Sequence, residues 1–381
     1  MIVVKVGYLD ISHAIIDTGK EDVMSYVEDN VSTDHRQPYN RPFSAHIAFD
    51  HQLDSTVISL AYRDSDEPAR SIEVGIAPDL GSNLFRFRVG QYDLIYADPA
   101  LLRQKDFTGN FVLWPLPNRV RDKQYVYQGK RYSLAGLKRP RGNAVLIHGL
   151  VFDRQWQYEQ PVVRQDAASV KTFIEITPQS PFYEGYPFES RLSLVYTLTK
   201  EAVTVSYTVE NTGAQEMPFG FALHPYFSTL SGKDETLVSL PARTVMEADE
   251  DLLPTGRVLD VTGVMYAMFD LREPVPVGNL KLDHVYTQLQ RNASALIDYR
   301  KQGLRLRIST SEDFTHMVIY TPPPEEHAAY FCLENQTCST DAVNLAAQGL
   351  GEIAHLLELH PGQSHSGFIQ YAVESVLAAR G

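Results

Sequence analysis

The stretch RLSLVYTLTKEAVTVSYTVE (residues 191–210) gives the clearest indication of the fold class. Apolar and polar residues alternate through both of its halves, which places the apolar side chains of each half on one face of an extended strand. Lys200 and Glu201 separate the halves and are suited to a turn. The stretch therefore predicts a β-hairpin with one buried face, made by Leu192, Leu194, Tyr196, Leu198, Val203, Val205, Tyr207 and Val209.

The same alternation, rich in β-branched and aromatic residues and broken by Gly, Pro, Asn and Asp, recurs along most of the chain. Helical patterns are few and short, the clearest running from Thr340, as a capping residue, to Gln348, with Gly349 closing it. So many strands with so little helix predict an all-β protein built as a large antiparallel β-sandwich or barrel. Further strands are predicted at Ser71–Ala77, Asn83–Val89, Leu304–Thr310, His316–Thr321, Ala328–Glu334 and Gly367–Glu374.

The bulk composition limits the possible partners. The 381 residues are 44% hydrophobic and 21% charged, and the formal net charge of -13 argues against a nucleic-acid partner, which needs a surplus of Lys and Arg. The first residues do not resemble a signal peptide, and no segment approaches the ~20 apolar residues that cross a bilayer. The two cysteines, Cys332 and Cys338, match neither a zinc nor a redox spacing. We therefore expect a cytoplasmic protein with reduced thiols and no membrane contact.

The first part of the chain differs from the rest. It is rich in acidic residues and contains an amphipathic stretch at residues 20–30, and a polar turn follows near Asp66. We predict an N-terminal extension over residues 1–68, packed on a main domain of residues 69–381. Its open roles are to shape a binding cleft, to contact a partner or to cover a sheet edge, and we favour the last.

Two residues stand out as proton-transfer candidates. His224 follows an apolar run and precedes Pro225, which predicts that the strand stops there and presents the imidazole at a sheet rim. Glu334 closes the apolar run Tyr330–Leu333, where desolvation would raise its pKa above ~4.3 and make it a better base near neutral pH. Taken alone, each has an ordinary alternative, a half-buried structural histidine and a strand-end carboxylate that reaches water.

Four other residues are candidates for holding a polar ligand. His148 ends a short apolar run and precedes Gly149, which would leave room for a ligand to approach. Asn118 and Arg119 end a turn-rich stretch, and the guanidinium has a rigid fork of donors. Asp283 can accept two hydrogen bonds at once. Singly, each is more often a surface or turn residue.

These pieces together resemble the aldose 1-epimerase (galactose mutarotase) family. The matches occur in the family's order over roughly Ile72 to Val373, namely Pro117-Asn118-Arg119, Gly142-Asn143 through Ile147-His148-Gly149, Leu223-His224-Pro225-Tyr226-Phe227, Leu282-Asp283-His284-Val285-Tyr286 and Cys332-Leu333-Glu334. The resemblance implies a β-supersandwich with an open cleft that binds a small-molecule sugar. It also implies that the chain is an enzyme of the isomerase class.

The resemblance also implies roles for the candidates. Anomer exchange needs a base at the C1 hydroxyl and an acid at the ring oxygen, and it needs no metal or other cofactor. Glu334 then corresponds to the base and His224 to the acid, facing each other across the width of a pyranose ring. Arg119, His148 and Asp283 correspond to residues that orient the sugar hydroxyls, and Asn118 matches the motif as a further binding residue. We expect a monomer or a homodimer.

The chain departs from the family in one place, and other functions stay open. Asn335 follows Glu334 where the family often has proline, which leaves the preferred sugar undecided. A hexose-6-phosphate mutarotase of the same fold would need a cationic pocket. A silent carbohydrate-binding protein would not need both His224 and Glu334. A metal-dependent isomerase has least support, since His360 and His365 share no metal-ligand spacing with a carboxylate nearby in the sequence. The cations near the site in sequence are Arg119, Arg121, Lys123, Lys138, Arg139 and Arg141.

Overall fold

The computed structural model describes residues 41–137, 146–290 and 292–375. The amphipathic stretch at residues 20–30 and the cations Lys138, Arg139 and Arg141 lie outside these ranges. The described residues are dominated by antiparallel strands, which confirms the predicted all-β class. None of their helices is long and apolar enough to cross a membrane.

The strands of the first half are β1 (Phe43–Asp50), β2 (Ser55–Tyr62), β3 (Ile72–Ala77), β4 (Asn83–Val89), β5 (Tyr92–Asp93), β6 (Asn110–Leu113), β7 (Arg119–Val120), β8 (Gln124–Tyr127), β9 (Lys130–Ser133), β10 (Leu146–Ile147), β11 (Gln157–Tyr158), β12 (Val162–Val163), β13 (Ala168–Ile176) and β14 (Ser190–Leu198). Those of the second half are β15 (Ala202–Asn211), β16 (Met217–Phe219), β17 (Ala222–Ser228), β18 (Thr236–Ser239), β19 (Ala242–Ala248), β20 (Pro254–Asp260), β21 (Val275–Pro276), β22 (Asp283–Leu289), β23 (Ala295–Tyr299), β24 (Leu304–Thr310), β25 (His316–Tyr320), β26 (Tyr330–Gln336), β27 (Leu357–Leu359) and β28 (Ser364–Ser375). The α-helices of these ranges are short: α1 (Pro99–Arg103), α2 (Ala342–Ala347) and α3 (Gly351–Ala354).

Two large sheets carry the sandwich. One has ten strands, with β12 pairing beside β11 on β13 and the rest in the order β11-β13-β14-β15-β28-β24-β23-β18-β21. The other has seven strands in the order β20-β19-β22-β25-β26-β17-β6. The predicted hairpin is β14 and β15, and all eight of its apolar side chains are buried. They share one core with Phe227, Leu333 and Ile319 of the seven-stranded sheet, so burial between the two sheets drives the fold.

The segment from Phe43 to Tyr62 is part of a smaller sheet. β1 pairs with β2, and β2 pairs with β3, in a five-stranded sheet ordered β1-β2-β3-β4-β5. Ile58 and Leu60 of β2 are fully buried in the same core as Val74. The described part of the predicted extension thus supplies β1 and β2 of this sheet, and the predicted main domain supplies β3, β4 and β5.

The helix after β26 differs in detail from its prediction. It begins at Ala342, and the residue before it is Asp341, which has φ 56° and makes no capping hydrogen bond through its side chain. The expectation that Thr340 caps the helix was therefore wrong, because Thr340 is buried before the helix starts. Gly349, with φ 84°, follows the helix as predicted.

Candidate active site

His224 and Glu334 lie on neighbouring strands of the seven-stranded sheet, on the face turned away from the shared core. The register of β17 and β26 pairs Leu223 with Asn335 and Tyr226 with Cys332, which puts His224 opposite Glu334. His224 Nε2 lies 3.5 Å from Glu334 Oε2. The structure thus brings together an imidazole and a carboxylate that are far apart in the chain.

The sequence prediction for the strand around His224 was wrong. β17 does not stop at His224 but continues through Pro225 to Ser228, and it pairs with β6 on its other side through His224 and Phe111. Proline removes one N–H, and the ladder with β26 skips positions 224 and 225, but pairs on both sides of the gap keep the strand in place. His224 is therefore inside the sheet and 6% exposed, and it is not at a rim.

The predicted spacing of the pair was also wrong. A gap as wide as a pyranose ring was expected, whereas the two side chains lie side by side. The reason is the adjacency of β17 and β26, because directly opposite residues of antiparallel strands lie ~5 Å apart at Cβ. Any molecule that contacts both groups accordingly approaches them from the same side of the sheet.

Burial dominates the electrostatics of the pair. It raises the pKa of Glu334 to about 8, although a hydrogen bond from Gln336 and the charge of Arg119 act in the opposite direction. It lowers the pKa of His224 to about 3, and the charge of Arg119 adds to that shift. Desolvation penalises the charged form of each group, so burial favours a protonated carboxyl beside a neutral imidazole.

Aromatic rings enclose the imidazole. The ring of His224 stacks with Phe111 at 4.8 Å and with Tyr226 at 5.2 Å, and the ring of His148 meets it edge-on at 4.9 Å. These rings exclude water from His224, which explains the direction of its pKa shift. Trp114 and Phe227, two further aromatics of the sequence motifs, are fully buried and pack in the shared core.

Arg119 joins the predicted binding residues to one another. Its guanidinium donates to Asn118 Oδ1 at 3.1 Å and to Asp283 Oδ2 at 3.3 Å. The side chains of Arg119 and Asp283 are 18% and 27% exposed, so both reach solvent. The carbonyl of Asn118, which has φ 55°, accepts the backbone N–H of His148 at 2.7 Å. The four residues therefore form one connected group.

The close approach at Gly149 has a cause other than the predicted one. A Cβ on this glycine would meet the backbone nitrogen of Trp114 at 2.6 Å, and its φ is 66°. The backbone of Trp114 and the positive φ are sufficient to require glycine there. The tight turn after β10, which pairs with β7, places His148 against His224.

All six predicted site residues thus lie together: His224, Asp283 and Glu334 on the seven-stranded sheet, and Asn118, Arg119 and His148 on the β7–β10 segment that contacts them. Sequence reasoning missed Gln336, which is fully buried and donates through Nε2 to Glu334 Oε1. Alternation along β26 could have found it, since residues two positions apart share a sheet face. Phe111 was also missed, because a short apolar run gives no sign that one of its rings lines a site.

Two of the nearby cations, Arg119 and Arg121, are paired with carboxylates. Arg121 donates to Asp249 Oδ2 at 2.7 Å, and Arg119 bonds to Asp283. The carboxyl of Asp341 accepts a hydrogen bond from the backbone N–H of Arg121 at 3.2 Å. Burial raises the pKa of Asp341 to about 6. The guanidinium groups closest to the site are therefore already engaged by carboxylates.

Comparison with known proteins is consistent with this geometry. A family model described as aldose 1-epimerase matches residues 74–372. The uncharacterized protein YihR of Escherichia coli (strain K12) is 27% identical over 259 residues, which cover 68% of this chain and 76% of that protein. The galactose mutarotase of Homo sapiens is 33% identical over 175 residues, which cover 44% of this chain and 46%, about half, of that protein.

Solved structures share the fold. A galactose mutarotase-like protein from Clostridium acetobutylicum superimposes with a TM-score of 0.75 at 20% identity, over 88% of this chain and 100% of that one. Galactose 1-epimerase from Lactobacillus acidophilus NCFM gives a TM-score of 0.69 at 17% identity, with the same coverage of 88% and 100%. At these identities the likeness is one of fold.

Proposed function

The chain belongs to the aldose 1-epimerase family, as its sequence motifs predicted, and on that premise we propose that it interconverts the α and β anomers of a free aldose such as galactose or glucose. The reaction opens the sugar ring and closes it again by proton transfer, without a metal or other cofactor. The observation that carries the proposal is the contact of His224 Nε2 with Glu334 Oε2 at 3.5 Å. An imidazole and a carboxyl on one face supply the acid and the base that anomer exchange needs.

The pair holds one exchangeable proton near neutral pH. The pKa of Glu334 at about 8 and that of His224 at about 3 leave one proton on the pair between these values. Moving this proton to His224 gives an ionised Glu334 and an imidazolium without any exchange with solvent. This transfer leaves the net charge of the pair unchanged, but it runs against the preference of burial for the neutral pair.

The catalytic cycle then closes on itself. Glu334 takes the proton of the C1 hydroxyl while His224 gives its proton to the ring oxygen, and the ring opens to the aldehyde. The pair is now a carboxylic acid and a neutral imidazole, the state that burial favours. After rotation about the C1–C2 bond, His224 takes the proton back and Glu334 returns one to the carbonyl oxygen, which gives the other anomer.

The remaining site residues are proposed to hold the sugar hydroxyls. Arg119 and Asp283 offer donors and acceptors side by side and are partly exposed. His148 lies against His224 and can reach the same substrate. Asn118 fixes Arg119 through its side chain and His148 through its carbonyl. Together they would hold the ring with C1 over the proton-transfer pair.

A neutral aldose fits this site better than its 6-phosphate. A phosphate group is bound by cations that are free to pair with it, and Arg119 and Arg121 both pair with carboxylates here. Polarimetry on freshly dissolved α-galactose, α-glucose and their 6-phosphates tests the proposal. We expect rapid mutarotation of a free sugar. If folded protein that binds sugar gives a rate equal to that of buffer, the proposed enzyme activity is wrong and the protein is a silent sugar-binding protein.

A further inference from the structure

A buried glutamine contacts the proposed base from within the sheet. Gln336 lies two residues after Glu334 on β26 and shares its face, with Ala222 and His316 opposite it on the two neighbouring strands. Gln336 is fully buried, and its Nε2 donates a hydrogen bond to Glu334 Oε1.

This bond distinguishes the two oxygens of the carboxylate. Oε1 is taken by Gln336, whereas Oε2 makes no hydrogen bond within the described residues and lies toward His224. A carboxylate held at one oxygen cannot rotate freely about its last torsion. The amide therefore selects Oε2 as the oxygen that meets the reacting hydroxyl.

A purely structural role does not explain the choice of glutamine. Gln336 Oε1 is buried without a hydrogen-bond partner in the described part of the chain, and burying such an acceptor costs stability that an apolar residue of the same shape would not. An amide, in contrast, can serve both protonation states of the base, since it donates to a carboxylate and accepts from a carboxylic acid.

We propose that Gln336 is a positioning residue, which orients the Glu334 carboxylate so that Oε2 faces the sugar and His224. The proposal rests on the proposed function. The hydrogen bond from Gln336 also acts against the rise in the pKa of Glu334 that burial causes. Removing the donor should thus change both the rate and the pH at which Glu334 titrates.

The test compares Gln336→Met, which keeps the length of the side chain and removes its donor, with Gln370→Met. Gln370 is the matched control, because it also donates from a strand position, to Thr204 at 3.1 Å on the ten-stranded sheet. We expect Gln336→Met to lower kcat by ~10-fold or more with KM changed less than ~3-fold, as misplacement of a reacting group does. The limb of the pH profile near 8 should move to higher pH. Gln370→Met should change neither.

A second variant and a second measurement distinguish a loss of positioning from misfolding. Gln336→Glu keeps the shape and adds a like charge, so it should also raise the pKa of Glu334. ¹³C NMR of labelled glutamate carboxyls follows that titration without substrate. An unchanged titration and kcat in folded Gln336→Met, with wild type active, would overturn the positioning role and leave the proposed function standing. A wild type without mutarotation overturns both.

Discussion

Two of the carboxylate–imidazole pairs in the described part of the chain hold their carboxyl groups in opposite electrostatic states. Glu334 and His224 lie 3.5 Å apart on the seven-stranded sheet, and Asp313 and His365 lie 3.2 Å apart beside the ten-stranded sheet. Burial pushes the pKa of Asp313 upward, but hydrogen bonds from His365, Ser311 and Tyr207 outweigh it, and the pKa ends below its ordinary value. Glu334 receives only one such bond in the described residues and ends with a raised pKa.

The number of hydrogen-bond donors, more than the presence of a histidine, therefore decides whether each of these buried carboxyl groups stays charged. Asp313 has enough partners to remain a carboxylate and serves as a fixed structural acceptor. Glu334 lacks them and can gain or lose a proton near neutral pH, as proton transfer requires.

The largest effect is expected at the carboxylates. Glu334→Gln removes the proposed base and should lower kcat by ~10³-fold, whereas Asp313→Asn should leave kcat within ~3-fold. The aspartate variant should instead lose ~1–3 kcal/mol of unfolding free energy, because its donors lose a charged acceptor. Polarimetry and urea unfolding measure the two quantities. A similar loss of rate in both variants would remove the distinction between the pairs.

The two histidines should differ in the same way. His224→Ala takes away the proposed acid and should lower kcat by ~100-fold. His365→Ala, at a position where the side chain is 33% exposed, should keep near-native turnover. Mutarotation assays at pH 7 on matched samples give the comparison. Near-native activity in His224→Ala would refute its assignment.

A third comparison concerns arginines that pair with aspartates. Arg119→Ala should raise KM by ~10-fold and change kcat by less than ~3-fold, as loss of an interaction made equally in ground and transition states does. Arg305, which donates to Asp298 at 2.5 Å on the ten-stranded sheet, is the control, and Arg305→Ala should leave KM unchanged. A fall in kcat at constant KM in Arg119→Ala would show that Arg119 acts mainly in the transition state.

The smallest effect is the pH dependence of stability. The unfolded chain releases the Glu334 proton near pH 4.5 and the folded chain near 8, so the contribution of Glu334 to stability is lost as pH rises between them. His224 has an ordinary pKa of 6.5 and a folded pKa of about 3, so its contribution is lost as pH falls through that range. The two trends offset each other where they overlap, and only the loss from Glu334 continues above 6.5.

Wild type should therefore lose ~1 kcal/mol of unfolding free energy between pH 6.5 and 8 that Glu334→Gln keeps. Urea unfolding at several pH values measures this difference. Asp313→Asn should show the same decline as wild type, because the pKa of Asp313 lies below 3.8 and this group titrates only in acid. Parallel curves for wild type and Glu334→Gln would contradict the raised pKa.

The sequence predicts the fold well because strand alternation is a local property. The hairpin of β14 and β15 and the strand at 304–310 have the predicted bounds to within a residue. The six candidate residues could be named because each ends or follows a recognisable motif. Their roles remain proposals.

The arrangement of the site could not be predicted from the sequence, because it depends on which strands become neighbours. Nothing local to His224 or Glu334 shows that β17 and β26 pair, which is why the spacing of the two groups was overestimated. The local rule that proline ends a sheet strand failed at Pro225, where pairs on both sides hold the strand. Gln336 was missed because its importance arises only from its contact with Glu334.

The interrupted ladder between β17 and β26 has a mechanical consequence. His224 and Pro225 do not pair with β26, whereas the flanking residues Leu223 and Tyr226 do. Backbone pairing between β17 and β26 therefore does not fix the separation of the imidazole and the carboxylate at that point. The outer neighbours hold the two residues instead, since β6 pairs with His224 and Pro225 and β25 pairs with Glu334.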